Sequence, residues 1–151
     1  MGRTRRVLVV CTGNSCRSVM AKGLLKKYLS GREIVIASAG VSAIPGFRPT
    51  QETIEIMAKE GIDVSGHLSQ RLTPEMIQQA DLILVMERWH KEQILRLVPS
   101  AKAKVFLLKE YANASDWSEL EIPDPIAKPI EVYEKCLQAI KECVEKAVAK
   151  L

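Results

Sequence analysis

Arg6-Val7-Leu8-Val9-Val10 runs into Cys11-Thr12-Gly13-Asn14-Ser15-Cys16 and then into Arg17-Ser18, and this stretch decides the fold. The apolar, mostly β-branched run reads as a strand buried on both faces. Small polar residues follow as a turn, and a helix is expected over residues 17–30. The alternation continues, with strands expected over 34–37, 81–86 and 104–108 and helices over 50–60 and 88–97. A short helix opens at Thr73-Pro74-Glu75-Met76, where Thr73 suits the N-cap and Pro74 the first turn. Gly61 and Pro99 close the two longer helices. Residues 40–49, with Gly and Pro, read as a loop, and so do residues 109–129, which lack periodicity. Ile130, Tyr133, Leu137, Ile140, Val144, Ala147 and Leu151 then recur at spacings of three and four, the stripe of a closing helix. Strands alternating with helices predict an α/β fold whose parallel sheet is covered on both faces and binds ligands beyond the carboxyl ends of its strands. The loop starting at Cys11 lies at such an end.

The length of 151 residues is that of one domain, so residues 1–151 are expected to fold around a single core. Apolar residues at 47% and charged residues at 26% exclude a disordered or fibrous chain. No apolar run approaches the roughly 18 residues of a membrane span, and residues 7–10 are too few for a signal peptide. A cytoplasmic protein without membrane attachment is expected. Its cysteines, Cys11, Cys16, Cys136 and Cys143, are expected to be reduced there. The net charge of +4 is spread among acids, not gathered in a basic block with interleaved aromatics, which argues against nucleic-acid binding.

Between a buried strand and a helix, the backbone amides of Cys11 to Ser18 can turn inward around an anion at the helix N-terminus. Gly13 and Asn14 are residue types that tolerate left-handed backbone, and the small Thr12 and Ser15 leave the mouth of such a ring open. The same amides favour a thiolate at Cys11. Arg17 supplies a planar fork for two oxygens of a phosphoryl group. Ser18 can donate to the Cys11 sulfur as it attacks and later departs. A phosphomonoester also needs a proton for its leaving oxygen, from His67, His90 or a carboxylate. Asp124 is selected, because Ile122-Pro123-Asp124-Pro125 stiffens the chain on both sides of that carboxyl. These assignments require neither a metal nor an organic cofactor.

Val10 to Ser18, Ser38-Ala39-Gly40, Ala80-Asp81-Leu82-Ile83-Leu84-Val85-Met86 and Asp124-Pro125 together resemble the low-molecular-weight protein-tyrosine phosphatase family, over nearly the whole chain. The resemblance implies a four-stranded parallel sheet flanked by helices; phosphorylated proteins are the expected substrates, and a monomer is expected. The resemblance also implies a phosphocysteine at Cys11, stabilisation by Arg17, and Asp124 as acid and then base. Asn14 is implied to hold the loop in shape, with Ser38 and His67 hydrogen-bonded near it. A reversible disulfide between Cys11 and Cys16 follows from the same resemblance.

The chain departs from the family pattern at four places. Ser15 stands where members acting on phosphotyrosine usually have an aliphatic residue, and Ile126 and Ala127 stand where they have tyrosine. Bacterial relatives that dephosphorylate arginine resemble this chain in Cys-Thr-Gly-Asn and Ile-Pro-Asp-Pro but carry Thr at Ser15. Val19 replaces a common proline. Glu87 replaces a common Asp after the third strand and is assigned no role.

Of the remaining residues, Cys136 and Cys143 are expected to pack in the closing helix, and Trp89 and His90 to lie at the surface or partly packed. Phe47 and Trp117 are candidate pocket walls. Phosphotyrosine hydrolysis leads, with phosphoarginine hydrolysis as the alternative. Thioredoxin-linked arsenate reduction needs two further cysteines after the third strand, where residues 87–97 have none. A phosphopeptide-binding module would have no use for an activated thiol.

Overall fold

A computed structural model describes residues 5–113 and 119–151. Its centre is β1 (Arg5–Cys11), which pairs in parallel with β2 (Ile34–Gly40) on one side and β3 (Leu82–Val85) on the other. β4 (Val105–Leu107) pairs in parallel with β3, so the strand order is β2-β1-β3-β4. The chain leaves β1 toward β2 and later returns to the other side of β1. This reversal opens a crevice beyond the carboxyl ends of β1 and β3.

The side-chain alternation of β1 divides the core. Val7, Val9 and Cys11 face a layer containing Leu24 and Leu25 of α1 (Arg17–Tyr28) and Leu137, Ile140 and Val144 of α6 (Ile130–Val148). Leu8 and Val10 face the opposite layer, with Ile77 of α3 (Pro74–Gln79) and Ile94 of α4 (Arg88–Leu97). Both faces of the strand are therefore dry, as its unbroken apolar run requires. Cys11, the last β1 residue, is carried into the first layer and is only 2% exposed.

The helix signals act locally as expected. Thr50 caps α2 (Gln51–Lys59) by accepting from the Thr53 N–H at 3.3 Å, and Thr73 caps α3 by accepting from the Met76 N–H at 3.2 Å. Gly61, with φ of 77°, turns the chain out of α2 in the left-handed conformation. Among the described residues no helix is long and apolar enough to cross a membrane.

Several boundaries differ from the sequence reading, among them the second strand, which runs past residue 37 to Gly40. The fourth strand is shorter than 104–108, because a 3-10 helix (Pro99–Lys104) runs up to it and Leu108 already begins α5 (Leu108–Tyr111). That turn also occupies the start of the expected 109–129 loop. Its N-terminal Leu107 N–H donates to the Glu110 carboxylate at 3.3 Å, a local bond with no hydrophobic period to announce it. The first helix ends at Tyr28 and not at residue 30.

Candidate active site

The loop between β1 and α1 is shaped by Asn14. Its φ of 55° is left-handed, an uncommon conformation outside glycine that Asn tolerates through local hydrogen bonding. Its buried side chain makes three bonds. The amide Nδ2 donates to Ser18 Oγ at 2.8 Å and to Ser38 Oγ at 3.0 Å, while Oδ1 accepts from the Gln70 N–H at 3.0 Å. The backbone donor at Gln70 fixes which end of the amide is oxygen. His67 adds a fourth tie, donating Nε2–H to the Asn14 carbonyl at 3.2 Å. Burial lowers the His67 pKa, Lys22 and Lys26 nearby lower it further, and the bond to Asn14 opposes them. Asn14, Ser38 and His67 thus stand where the family resemblance puts them. Gly13 is not among the positive-φ residues, so the left-handed step falls on Asn14 alone.

These bonds determine what Ser18 can do. Its oxygen accepts from Asn14, and it lies 3.0 Å from Cys11 Sγ. The hydroxyl proton is thereby left free to be donated to the sulfur. Cys11 and Cys16 are both free buried thiols. Cys16 Sγ has weak contacts to Ser15 Oγ at 3.7 Å, Thr50 Oγ1 at 3.6 Å and the Tyr133 hydroxyl at 3.9 Å.

Arg17 is 1% exposed, an arrangement that long cations adopt only when paired. Nη1 donates to Glu87 Oε2 at 2.5 Å and to the Ile122 carbonyl at 2.7 Å. Nη2 donates to Thr12 Oγ1 at 3.1 Å and lies 3.5 Å from Asp124 Oδ2. Nε is buried and has no partner among the described residues. Asp124 is held by its own turn, accepting from the Ile126 N–H at 3.1 Å, and its side chain is one-third exposed. The Ile122 N–H donates to the Met86 carbonyl at 2.9 Å, which ties the Pro-flanked segment to the end of β3. The strand end therefore carries the Cys11 sulfur, the Arg17 guanidinium is bonded to the adjoining Thr12, and the Asp124 carboxylate lies 3.5 Å from that guanidinium, the groups that phosphoryl transfer through a thiol needs.

Two residues of this site have places that the sequence reading did not give them. Glu87 makes the shortest bond to Arg17, although the sequence assigned it no role. His90 was expected at the surface or partly packed, yet it is fully buried, with Nε2 at 2.9 Å from Thr12 Oγ1 and Nδ1 accepting from the Glu87 N–H at 3.0 Å. Burial, with Arg17 adding to it, pushes the His90 pKa down to about 3, so the ring is neutral. The available signal was positional: both follow β3 at its carboxyl end, beside β1. Phe47 is 60% exposed on the surface, and Trp117 lies outside the described residues. Cys136 is buried in α6 as expected, and burial raises its pKa to about 12.

The model of the family described as low molecular weight phosphotyrosine protein phosphatase matches residues 6–151. A probable low molecular weight protein-tyrosine-phosphatase, EpsP, of Ralstonia nicotianae is 37% identical over 97% of this chain and 96% of its own. A protein-arginine-phosphatase of Geobacillus stearothermophilus is also 37% identical, over 97% of this chain and 95% of its own. A solved structure of YwlE arginine phosphatase, a cysteine-to-serine mutant with phosphorylated active site serine, superimposes with a TM-score of 0.87. It is 33% identical over 97% of this chain and 95% of that one. The sheet, the loop after β1 and these matches lead to one conclusion: the chain belongs to the low molecular weight phosphotyrosine protein phosphatase family.

Proposed function

We propose that the chain hydrolyses phosphotyrosine in proteins, with Cys11 as nucleophile, Arg17 as phosphate clamp and Asp124 as general acid and then base. The observation that carries the reading is the state of Arg17. Four contacts hold its Nη atoms, while its buried Nε–H has no partner among the described residues. A buried donor left unpaired costs on the order of 1–3 kcal/mol. A phosphoryl group in the cradle supplies the missing acceptor. Backbone amides of Thr12, Gly13, Asn14, Ser15, Cys16 and Ser18 surround its other oxygens.

In the first step the Cys11 thiolate attacks phosphorus, the bond to the leaving oxygen breaks, and Asp124 gives that oxygen a proton. In the second, Asp124 takes a proton from water, whose oxygen attacks the phosphocysteine. The sulfur leaves with its charge stabilised by Ser18, and inorganic phosphate is released. A reduced thiol is required throughout, which fits a cytoplasmic enzyme, and the site is complete within one chain, which fits a monomer.

A second reading, phosphoarginine hydrolysis, is favoured by Ser15 and Ile126. A small hydroxyl residue stands in the loop where an aliphatic one suits an aryl ring, and Ile126, half exposed, replaces an aromatic wall. The mechanism is the same, with nitrogen as the leaving atom.

Turnover of phosphotyrosine and phosphoarginine peptides in EDTA, side by side, tests both readings. Cys11→Ser should be inactive, and Asp124→Ala should lose about a hundredfold or more in kcat. The preferred peptide decides between the substrates. Hydrolysis of neither by the wild type would overturn both.

A further inference from the structure

The hydroxyl of Thr12 has more partners than a loop residue at the mouth of a site needs. Its oxygen lies 2.9 Å from His90 Nε2 and receives the Arg17 Nη2–H at 3.1 Å. The His90 tautomer follows from its other nitrogen. Nδ1 accepts from the Glu87 backbone N–H at 3.0 Å, so a neutral ring carries its proton on Nε2. Nε2 is therefore the donor, and the Thr12 oxygen accepts twice. A hydroxyl has two acceptor positions and one proton. With both filled, the proton of Thr12 must point away from His90 and Arg17.

We propose that His90 is a positioning residue of this site: its Nε2–H, acting with Arg17, locks the Thr12 hydroxyl as a donor aimed at an oxygen of the bound phosphoryl group. The inference rests on the phosphatase reading and adds a specific donor to it. Thr12 adjoins the nucleophile, and the atom it receives from, Nη2, also faces Asp124 Oδ2 at 3.5 Å. Arg17 Nη2 thus touches both the Thr12 hydroxyl and the Asp124 carboxylate, so the donor lies beside the clamp, where charge on the transferring oxygens develops. Without His90 the hydroxyl regains a free acceptor position and can rotate, so the donor is no longer fixed before substrate arrives.

The groups around His90 fit this duty. Glu87 Oε2 lies 4.0 Å from Nε2, too far to take its proton, and is occupied by Arg17. The Trp89 ring is tilted 46° against the imidazole with centroids 4.6 Å apart, which limits rotation of the ring.

The experiment separates donor from scaffold by substitutions that each keep one half of the imidazole. Gln can place an amide N–H where Nε2–H stood, and Asn can place an oxygen where Nδ1 stood. T12V should lose roughly 10- to 100-fold in kcat/KM, the size of a hydrogen bond to a charged group, with T12S near wild type. H90N should lose about fivefold and H90Q should recover most of it, whereas H90Q as impaired as H90N would overturn the donor role. The T12V/H90N double variant should be no worse than T12V alone, and multiplication of the two losses would also overturn the proposal. Nitrogen NMR of the imidazole in the wild-type protein reads the tautomer without any substitution, and a proton on Nδ1 would refute it. If the wild type turns over no phosphorylated peptide, the phosphatase reading fails by itself. Inorganic phosphate should still bind more weakly to T12V than to wild type, and equal affinity would refute the donor separately.

Discussion

Arg17 and Glu87, 70 positions apart in the chain, are joined by a 2.5 Å hydrogen bond from Nη1 to Oε2. One residue opens the helix after β1 and the other follows β3, so the bond clasps the two strand ends that frame the crevice. It also holds the guanidinium in the one orientation that leaves Nε–H free.

Glu87→Ala should therefore damage both stability and catalysis. Removing one partner of a buried pair costs about 3–5 kcal/mol. Because Glu87 is 23% exposed, water replaces part of the interaction, and about 2 kcal/mol is expected. At roughly 2–4 °C per kcal/mol for a chain of this size, Tm should fall by about 4–8 °C. A clamp free to swing should lower kcat/KM by about a hundredfold. Glu87→Gln retains an acceptor and should restore most of the Tm. A melting curve and kcat/KM for Glu87→Ala indistinguishable from wild type would refute the clasp.

Gly40 ends β2 against the loop that follows β1. A Cβ there would stand 2.5 Å from the Thr12 carbonyl oxygen, 2.8 Å from the Asn14 nitrogen and 2.9 Å from Ala43 Cβ. Two of these are backbone atoms that cannot rotate aside, so Gly40→Ala must displace the loop. A loss of about 1–3 kcal/mol is expected, the usual range for overpacking. Gly13→Ala is the contrast in stability, because its Cβ would meet only Ser15 Oγ at 3.5 Å. Chemical denaturation of both variants checks the difference, and equal stabilities would contradict the packing.

Acid should destabilise the fold through His90. The folded state holds the ring neutral down to about 3, whereas an unfolded histidine takes up a proton near 6.5. Between those values the unfolded state binds more protons, so stability is complete above about pH 6.5 and is lost as pH falls toward 3. One such group contributes a slope of at most about 1.4 kcal/mol per pH unit. His67, shifted in the same direction, adds to it. Denaturant unfolding from pH 7.5 to pH 4.5 should show the decline, and His90→Gln should flatten it. A pH-independent difference between the two proteins would exclude His90 as the source.

Ser15 should set the substrate. Ser15→Ile adds apolar surface at the mouth of the cradle and should shift the kcat/KM ratio toward phosphotyrosine by about tenfold, the scale of a small apolar change in a pocket. Ser15→Thr, which keeps the hydroxyl, should shift it toward phosphoarginine. Parallel assays on the two peptides give the ratio directly, and an unchanged ratio across the series would remove Ser15 from specificity.

The sequence by itself determined what depends on neighbours along the chain. The apolar run before Cys11 required a strand dry on both faces, the spacing of Tyr133, Leu137, Ile140 and Val144 required a helix with one buried stripe, and Thr50, Thr73 and Gly61 marked helix ends. Cys11, Asn14, Arg17 and Ser18 were legible together because a single strand-loop-helix turn holds them, and Asp124 because prolines flank it. Only the tertiary structure brought Glu87 and His90 to the site, through the pairing of β3 beside β1. Their roles depend on a burial and a register that span some 70 residues, and neither leaves a local mark. The same holds for Gly40, which has ordinary backbone angles and is demanded by the Thr12 and Asn14 backbone packed against it. The left-handed turn lies between: residue type allowed it at Gly13 or Asn14, and the ties from Ser38, His67 and Gln70 placed it at Asn14.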